Sequence, residues 1–308
     1  MIKFTILHST LVNWYLFALS MILCLMHGLG FYGYGNDFYA SYSGQNLRWG
    51  GIFDIVGFAI TTLYIFDIHL GVYLTTFAIM FSFGYFAKSF CLSIKRDPKH
   101  SVILVLLYGH AWPIFMTTSN AMRQGLSMAV LFLVLGFILS SNGATIFRKM
   151  LILPGIFFHK ISPLIIGVVL LTGNRTNKQL FLLAIIGIIL LIGFQSSGGY
   201  SGEKRSIGIN LTPILLLIST LTIITFFLKL KKRKIFSKII ISLNFLYILS
   251  IPFLNTWQSE RIGFSIIIPT IFYLSLLLKR RYIIPNLYFF GITLITLSWY
   301  VGLFSSFK

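Results

Sequence analysis

The chain has 308 residues, of which 57% are hydrophobic, 17% aromatic and only 10% charged. A soluble domain is usually about half apolar and about a quarter charged, so this composition excludes an ordinary soluble protein and predicts an all-α, polytopic membrane protein. The net charge of +19 comes from short basic clusters between apolar runs, which is typical of positive-inside topology and not of nucleic-acid binding. We expect residues 1–308 to form a single transmembrane domain whose partner is the lipid bilayer, with no nucleic acid bound.

Apolar runs long enough to cross a bilayer, which takes about 20 residues, recur along the whole chain. In chain order we predict about nine full spans: residues 11–32, 69–92, 101–118, 124–140, 178–194, 211–228, 236–254, 263–278 and 283–304. The third span should be kinked, because His110 to Pro113 ("HAWP") interrupts it. Residues 51–66 carry Asp54, and we predict that they form an interfacial half-helix.

Residues 146–172 are ambiguous because Pro154, His159, Lys160 and Pro163 lie in their middle. If this segment is one simple span, the basic residues divide almost evenly between the two sides of the membrane. If it enters from the cytoplasm, turns near His159 and returns, most of the 25 lysines and arginines face the cytoplasm, together with the N-terminus. The positive-inside rule therefore favours a re-entrant hairpin. Its apex should face a cavity, because non-helical backbone at that depth is tolerated only when buried in protein or lining water.

This topology places all of the six acidic residues except Asp97 on the outer side. We therefore predict that the outer loops, residues 33–68, 195–210 and 255–262, form the active face. Arg123 opens the fourth span there, although an arginine at a span centre costs roughly 2.5–3.5 kcal/mol. A guanidinium beside a helix N-terminus is an anion site. The alternative is an interfacial anchor.

His159, at the hairpin apex, is a candidate general base when neutral or phosphate ligand when charged. The alternative is a satisfied polar contact. Arg261 follows Glu260 where a late span opens, and suits an anion. The alternative there is a local ion pair anchored by Trp257.

Asp37 lies in an aromatic, glycine-rich loop, "GFYGYGNDFYASYSGQNLRWGG", whose composition suits sugar rings or, alternatively, an interfacial aromatic belt. Lys204 and Arg205 in the loop 195–210 suit an anionic head group, or form a solvated charge pair. The sequence contains no phosphate-binding glycine loop, no metal-ligand spacing and no Asp-x-Asp. We therefore predict no metal and no cofactor, so any phosphate chemistry must rely on arginines and lysines.

Four of these stretches, "GYGNDFYASY", "NAMRQGLSMAVLFL", "FFHKISPL" and "ERIGFS", resemble the EpsG-type branch of the Wzy O-antigen and exopolysaccharide polymerases. That family has a Gly-x-Asp-x-x-x-Tyr element in its first outer loop, to which Asp37 and Tyr39 or Tyr42 correspond with shifted spacing. Its Arg-Gln element matches Arg123–Gln124. Its His-x-Ser element corresponds to His159 and Ser162, with one extra residue between them.

The resemblance implies a GT-C-like helix bundle in the bacterial inner (cytoplasmic) membrane, with its active face in the periplasm. It implies a metal-independent glycosyltransferase that moves the growing glycan from undecaprenyl pyrophosphate to a sugar hydroxyl of another lipid-linked repeat unit. Donor and acceptor are then both undecaprenyl-pyrophosphate-linked oligosaccharides, and a chain-length regulator is a candidate partner. The expected roles are catalysis by His159, Asp37 and Glu260, pyrophosphate binding by Arg123, Arg261, Arg205 and Lys204, and glycan binding by Gln124, Arg48, Tyr39, Tyr42 and Trp257.

Two other functions fit the same residues. A transporter or flippase for lipid-linked sugars would use the same basic cavity, with alternating access. A membrane acyltransferase that modifies surface polysaccharide would use His159 with an acyl donor. A purely structural subunit leaves the outward clustering of acids and arginines unexplained.

Overall fold

The computed structural model describes residues 2–30, 55, 68–119, 122–140, 155, 162–172, 212–228, 235–252, 256–278 and 280–300. Within these ranges the regular structure is entirely helical, which confirms the predicted all-α class for this part of the chain. The helices are α1 (Ile2–Gly28), α2 (Ile68–Ser93), α3 (His100–Gly109), α4 (Trp112–Ser119), α5 (Met122–Ser140), α6 (Ser162–Leu171), α7 (Thr212–Leu228), α8 (Ile235–Ser250), α9 (Thr256–Leu277) and α10 (Ile283–Tyr300). A 3₁₀ turn, Arg280–Tyr282, precedes α10.

Several of these helices have the length and apolar character of membrane spans. Four segments in the described ranges qualify alone: Thr10–Gly28, Leu70–Ser93, Met122–Ser140 and Ser259–Leu277. The pair α3 and α4 qualifies as a fifth if counted as one broken span, and α7, α8 and α10 are shorter apolar helices. These helices are those of a membrane-embedded protein. The predicted total of about nine full spans stays a prediction, since the span at 178–194 lies outside the described residues.

The break between α3 and α4 confirms the kink predicted at His110 to Pro113. The two helices are bent by 65°. The Ala111 N–H donates to the Tyr108 carbonyl at 3.0 Å, and the Trp112 N–H donates to Ser298 Oγ of α10 at 3.0 Å. A side chain from a neighbouring helix thus satisfies a backbone donor that the break releases.

Helix α9 begins earlier than hydropathy indicated. The predicted span started at residue 263 and left 255–262 as an outer loop, but the helix already starts at Thr256. The loop assignment is therefore wrong from Thr256 onward. The polar run "TWQSER" reads as a loop by hydropathy, whereas in the structure its last two residues, Glu260 and Arg261, are bonded to other helices.

Aromatic packing fixes the relative direction of α5 and α9. Phe86 of α2 lies 5.7 Å from Phe132 of α5 and 5.0 Å from Phe272 of α9, measured between ring centroids. At about 1.5 Å per residue, Phe132 lies about 14 Å of helix beyond Arg123, and Phe272 about 17 Å beyond Arg261. Gln124, the chain neighbour of Arg123, also donates to the Arg261 carbonyl. Since α5 and α9 approach each other at both places, they run in the same direction and begin at the same end of the bundle, which we call the arginine end.

Small residues on α5 allow neighbouring helices to approach closely, because Gly125, Ala129 and Gly136 fall on one helical face. A Cβ added at Gly125 would lie 2.3 Å from the carbonyl oxygen of Thr117 in α4, and one at Gly136 would lie 2.6 Å from the Tyr85 ring in α2. Ala129 between them is buried. This face of α5 is thus its packing face.

The structure also bears on the predicted re-entrant hairpin. A Cβ added at Gly155 would lie 2.7 Å from Cδ1 of Ile166 and 3.1 Å from Cγ1 of Val130. In a continuous helix, residues 155 and 166 would be about 16 Å apart. Gly155 and Ile166 therefore lie closer together than one straight helix allows. The turn near His159 lies outside the described residues, and the re-entrant hairpin stays a prediction.

The opposite end of the bundle is basic. Lys95, Arg96 and Lys99 follow the end of α2, and Arg281 follows the end of α9. A Cβ added at Gly125 would meet Ile79 of α2, and one at Gly136 would meet Tyr85 further along it, so α2 runs parallel to α5 and away from the arginine end. Helix α9 runs the same way, so these four residues lie at the opposite end. A hydrogen bond of 2.6 Å between His100 Nδ1 and the Tyr288 hydroxyl joins α3 to α10 near this end.

Candidate functional site at the arginine end

Helices α5 and α9 are joined at the arginine end by the side chain of Gln124. Its Nε2 donates to the backbone carbonyl of Arg261 and, at 3.0 Å, to Ser265 Oγ. Ser265 Oγ in turn donates to the same Arg261 carbonyl at 3.1 Å. Gln124 is only 2% exposed, and a buried amide is costly unless it is hydrogen-bonded. These bonds therefore fix α5 against the first turns of α9.

The contact brings two predicted phosphate-binding residues to one place. Arg123 is the chain neighbour of Gln124, and Arg261 supplies the carbonyl that Gln124 binds. Both arginines are partly exposed. The N-terminus of α5 adds partial positive charge beside Arg123, whereas Arg261 is the sixth residue of α9 and lies beyond the first turn of that helix. A ligand with more than one negative charge, such as a pyrophosphate, complements this arrangement.

Glu260 provides a buried carboxylate beside these arginines. It is 5% exposed, and the Thr212 hydroxyl at the start of α7 lies 3.4 Å from its Oε1 as a hydrogen-bond donor. The Tyr247 hydroxyl of α8 donates to the Thr212 carbonyl at 3.4 Å. Three helices thus position Glu260, and its carboxylate can accept a proton or orient a hydroxyl.

A second polar contact connects α5 to the predicted hairpin. The hydroxyls of Ser127 and Ser162 share a hydrogen bond, and both residues are buried. Ser127 Oγ also lies 3.4 Å from the carbonyl of Arg123 as a donor. Ser162 follows His159 closely in the chain, so this bond places the end of the "FFHKIS" segment one helical turn from Arg123.

His27 is a site-region residue that sequence reasoning missed. It is 1% exposed at the end of α1, and its Nδ1 shares a hydrogen bond of 2.8 Å with the hydroxyl of Thr118 in α4. Thr118 lies at the end of α4, five residues before Arg123 in the chain, so this bond holds the end of α4 against α1. The signal was present in the sequence, because an ionisable residue inside an apolar run is itself a functional candidate.

The structure brings together the predicted site residues Arg123, Gln124, Glu260 and Arg261. Trp257 lies in the first turn of α9. The remaining predicted residues lie outside the described ranges: His159, Asp37, Arg205, Lys204, Arg48, Tyr39 and Tyr42. The outer loops 33–68 and 195–210 and the half-helix at 51–66 also lie outside them, apart from the single helical residue Ile55 and the start of α2.

Within the described ranges, no group of three or more His, Cys, Asp or Glu residues is placed to hold a metal ion. Among known proteins, neither a scan of family models nor searches of curated proteins and solved structures find a match to this chain. The function of this site is therefore inferred from the contacts and charges of its own residues.

Proposed function

We propose that this protein is a lipid-linked glycan polymerase of the bacterial inner membrane. One observation carries the proposal: Gln124 joins α5 to α9 through the Arg261 carbonyl, so Arg123 and Arg261 stand at the same end of the bundle. A pyrophosphate that is held in a membrane by its lipid needs such a paired cationic contact.

The proposed reaction joins two lipid-linked glycans. A hydroxyl of the acceptor sugar attacks the anomeric carbon of the donor sugar, and a new glycosidic C–O bond forms. The bond from that carbon to the pyrophosphate oxygen breaks, and undecaprenyl pyrophosphate leaves with the electron pair. Arg123 and Arg261 stabilise the charge that develops on the leaving group.

The attacking hydroxyl must lose its proton as the new bond forms. His159 is the first candidate for the base, with Asp37 and Glu260 as the others. The Ser127–Ser162 bond supports His159, because it holds the end of that segment beside α5. The Thr212 hydroxyl supports Glu260, because it orients the carboxylate.

The proposed orientation places the arginine end in the periplasm. Lys95, Arg96, Lys99 and Arg281 lie at the opposite end, and clustered basic residues favour the cytoplasmic side. The lipid-linked substrates are then reached from the periplasmic leaflet, where their sugars lie.

The test uses purified protein in detergent with one lipid-linked oligosaccharide, followed by a gel that resolves glycan length. A ladder is expected with the native protein, with and without EDTA, and Arg123→Ala should abolish it. Arg281→Ala is the matched control, because this arginine is exposed at the opposite end, and it should retain the ladder. No ladder with intact substrate would overturn the proposal. Substrate flux into vesicles or incorporation of a labelled acyl group would then identify transport or acylation.

A further inference from the structure

We propose that Lys88 and Asn13 bind the phosphate of an anionic phospholipid, whose acyl chain lies along a row of aromatic side chains between α1 and α2. The site faces the lipid in the leaflet at the basic end of the bundle, opposite the arginine end. It is separate from the proposed pyrophosphate site and does not rest on the polymerase function.

Helices α1 and α2 run antiparallel and form the two sides of this site. Cys24 Sγ, near the end of α1, donates to the Tyr73 carbonyl near the start of α2 at 3.0 Å, whereas Lys88 Nζ, near the end of α2, donates to Asn13 Oδ1 at 2.6 Å. Lys88 lies five residues before the last residue of α2, which is about 7.5 Å along the helix. The head-group layer on each side of a bilayer is about 5–7 Å thick. The Lys88–Asn13 pair therefore lies at the inner edge of that layer.

The pair presents a positive charge on the lipid-facing surface. Asn13 is exposed and Lys88 is half-buried. A lysine near a membrane boundary usually extends to water, but the bond to Asn13 holds this ammonium between two helices. Asn13 is neutral, so the bond orients the ammonium without cancelling its charge. A lipid phosphate complements that charge, and Lys95, Arg96 and Lys99 in the turn after α2 make the same end attractive to anionic lipids.

A row of aromatic rings follows the groove between α1 and α2. Trp14 contacts Phe17 of α1, with ring centroids 6.3 Å apart. Phe17 contacts Phe77 of α2 at 6.0 Å, and Phe77 stacks on Phe81 at 5.8 Å. Trp14, Phe17 and Phe81 are exposed. The row thus forms a continuous apolar surface that a lipid chain can reach.

The row begins at the charged pair and has the length of one lipid leaflet. Asn13 and Phe17 are four residues apart, and Phe81 and Lys88 are seven apart, so each pair shares a helix face. Phe77 lies about 16 Å along α2 from Lys88, and half of the hydrocarbon core is about 15 Å thick. A phospholipid matches this combination of one charge and one leaflet of apolar surface. A helix from a second copy of the chain would instead bury the lysine charge, which is costly.

Trp14 reports directly on this site, because bromine atoms on a lipid acyl chain quench the fluorescence of a tryptophan that they contact. The full chain is reconstituted in vesicles of phosphatidylcholine and phosphatidylglycerol, with one or the other lipid brominated. Subtracting the signal of Trp14→Phe isolates the quenching of Trp14 from that of the other tryptophans. We expect phosphatidylglycerol to bind beside Trp14 about fivefold more tightly than phosphatidylcholine.

Three variants test whether the Lys88–Asn13 pair causes this preference. Lys88→Met should remove it. Asn13→Asp should also remove it, because the carboxylate neutralises the ammonium while an ion pair still joins α1 to α2. Lys238→Met should keep it. Lys238 is the matched control, since it is also a half-buried lysine and lies in the first turn of α8.

Equal binding of the two lipids beside Trp14 in the native protein would overturn the inference, whether or not the variants fold. So would a native preference in Lys88→Met or in Asn13→Asp. An equal loss in Lys238→Met would also overturn it, because the preference would then come from the overall charge of the protein surface.

Discussion

The hydroxyls of Ser127 and Ser162 share a hydrogen bond that joins α5 to α6. Ser127 lies one helical turn after Arg123, and Ser162 is the first residue of α6. Gly155 also lies beside Val130 of α5, so described residues on both sides of His159 in the chain contact α5. The proposed closeness of the base to the pyrophosphate site rests on these two contacts.

Cross-linking tests this placement. The double substitution Ser127→Cys and Ser162→Cys should form a disulfide under mild oxidation, because the two hydroxyl oxygens are in contact and disulfides require adjacent Cβ atoms. Mass spectrometry of the digested protein would detect the linked peptides. Each single substitution should give no link, since the native Cys24 and Cys91 are buried. A double variant that stays reduced would contradict the contact.

Arg123→Lys tests the manner of phosphate binding. Lysine keeps the charge but lacks the planar fork that binds phosphate through two hydrogen bonds. We expect kcat/KM to fall almost as far as in Arg123→Ala, by about 10- to 100-fold for the loss of a charged hydrogen bond. Arg281→Lys, at the opposite end, should be close to native in the same polymerisation assay. Near-native activity of Arg123→Lys would assign Arg123 the role of an interfacial anchor.

Gly125→Ala tests the close approach of α4 to α5. The new Cβ would lie 2.3 Å from the Thr117 carbonyl, so backbone must move. We expect a loss of about 1–3 kcal/mol, as for other overpacked sites. Gly167→Ala in α6 is the matched control, since a Cβ there meets nothing within 4 Å. It should be neutral or stabilising by up to about 1 kcal/mol through helix propensity.

Thermal unfolding in one detergent would compare these two variants. Equal unfolding midpoints for Gly125→Ala and Gly167→Ala would show that the Thr117 carbonyl of α4 does not pack closely against Gly125 of α5.

Cysteine labelling tests the proposed orientation. Leu29, after α1, is 73% exposed at the arginine end, and Arg96, after α2, is exposed at the opposite end. A membrane-impermeant maleimide added to spheroplasts should label Leu29→Cys and spare Arg96→Cys until the membrane is opened. The reverse pattern would place the arginine end in the cytoplasm.

Sequence reasoning succeeded where one local signal determined the structure. The uninterrupted apolar run at 69–92 closely predicted α2, and "HAWP" predicted the break after α3, because proline cannot continue the backbone pattern of a helix. Each of these features is specified by neighbouring residues.

The features that the sequence did not predict depend on contacts between residues that are far apart in the chain. Hydropathy could not predict that "TWQSER" begins α9, since that stretch is polar and the partners of its Glu260 and Arg261 are Thr212 and Gln124 on other helices. Gln124 was assigned to glycan binding from its neighbourhood, but the use of its Nε2 on α9 follows only from the tertiary structure. Single serines such as Ser127 carry no pattern, so their pairing was not predictable.

The bond from Gln124 reaches the main chain of residue 261 and not its side chain. Every amino acid offers that same carbonyl, so the join between α5 and α9 does not depend on which residue occupies position 261. Position 261 can therefore vary its chemistry while the scaffold remains intact. A library of substitutions at this position, sorted for expressed and folded protein, should separate pyrophosphate binding from stability. Loss of activity at position 261 is then expected without loss of the folded bundle.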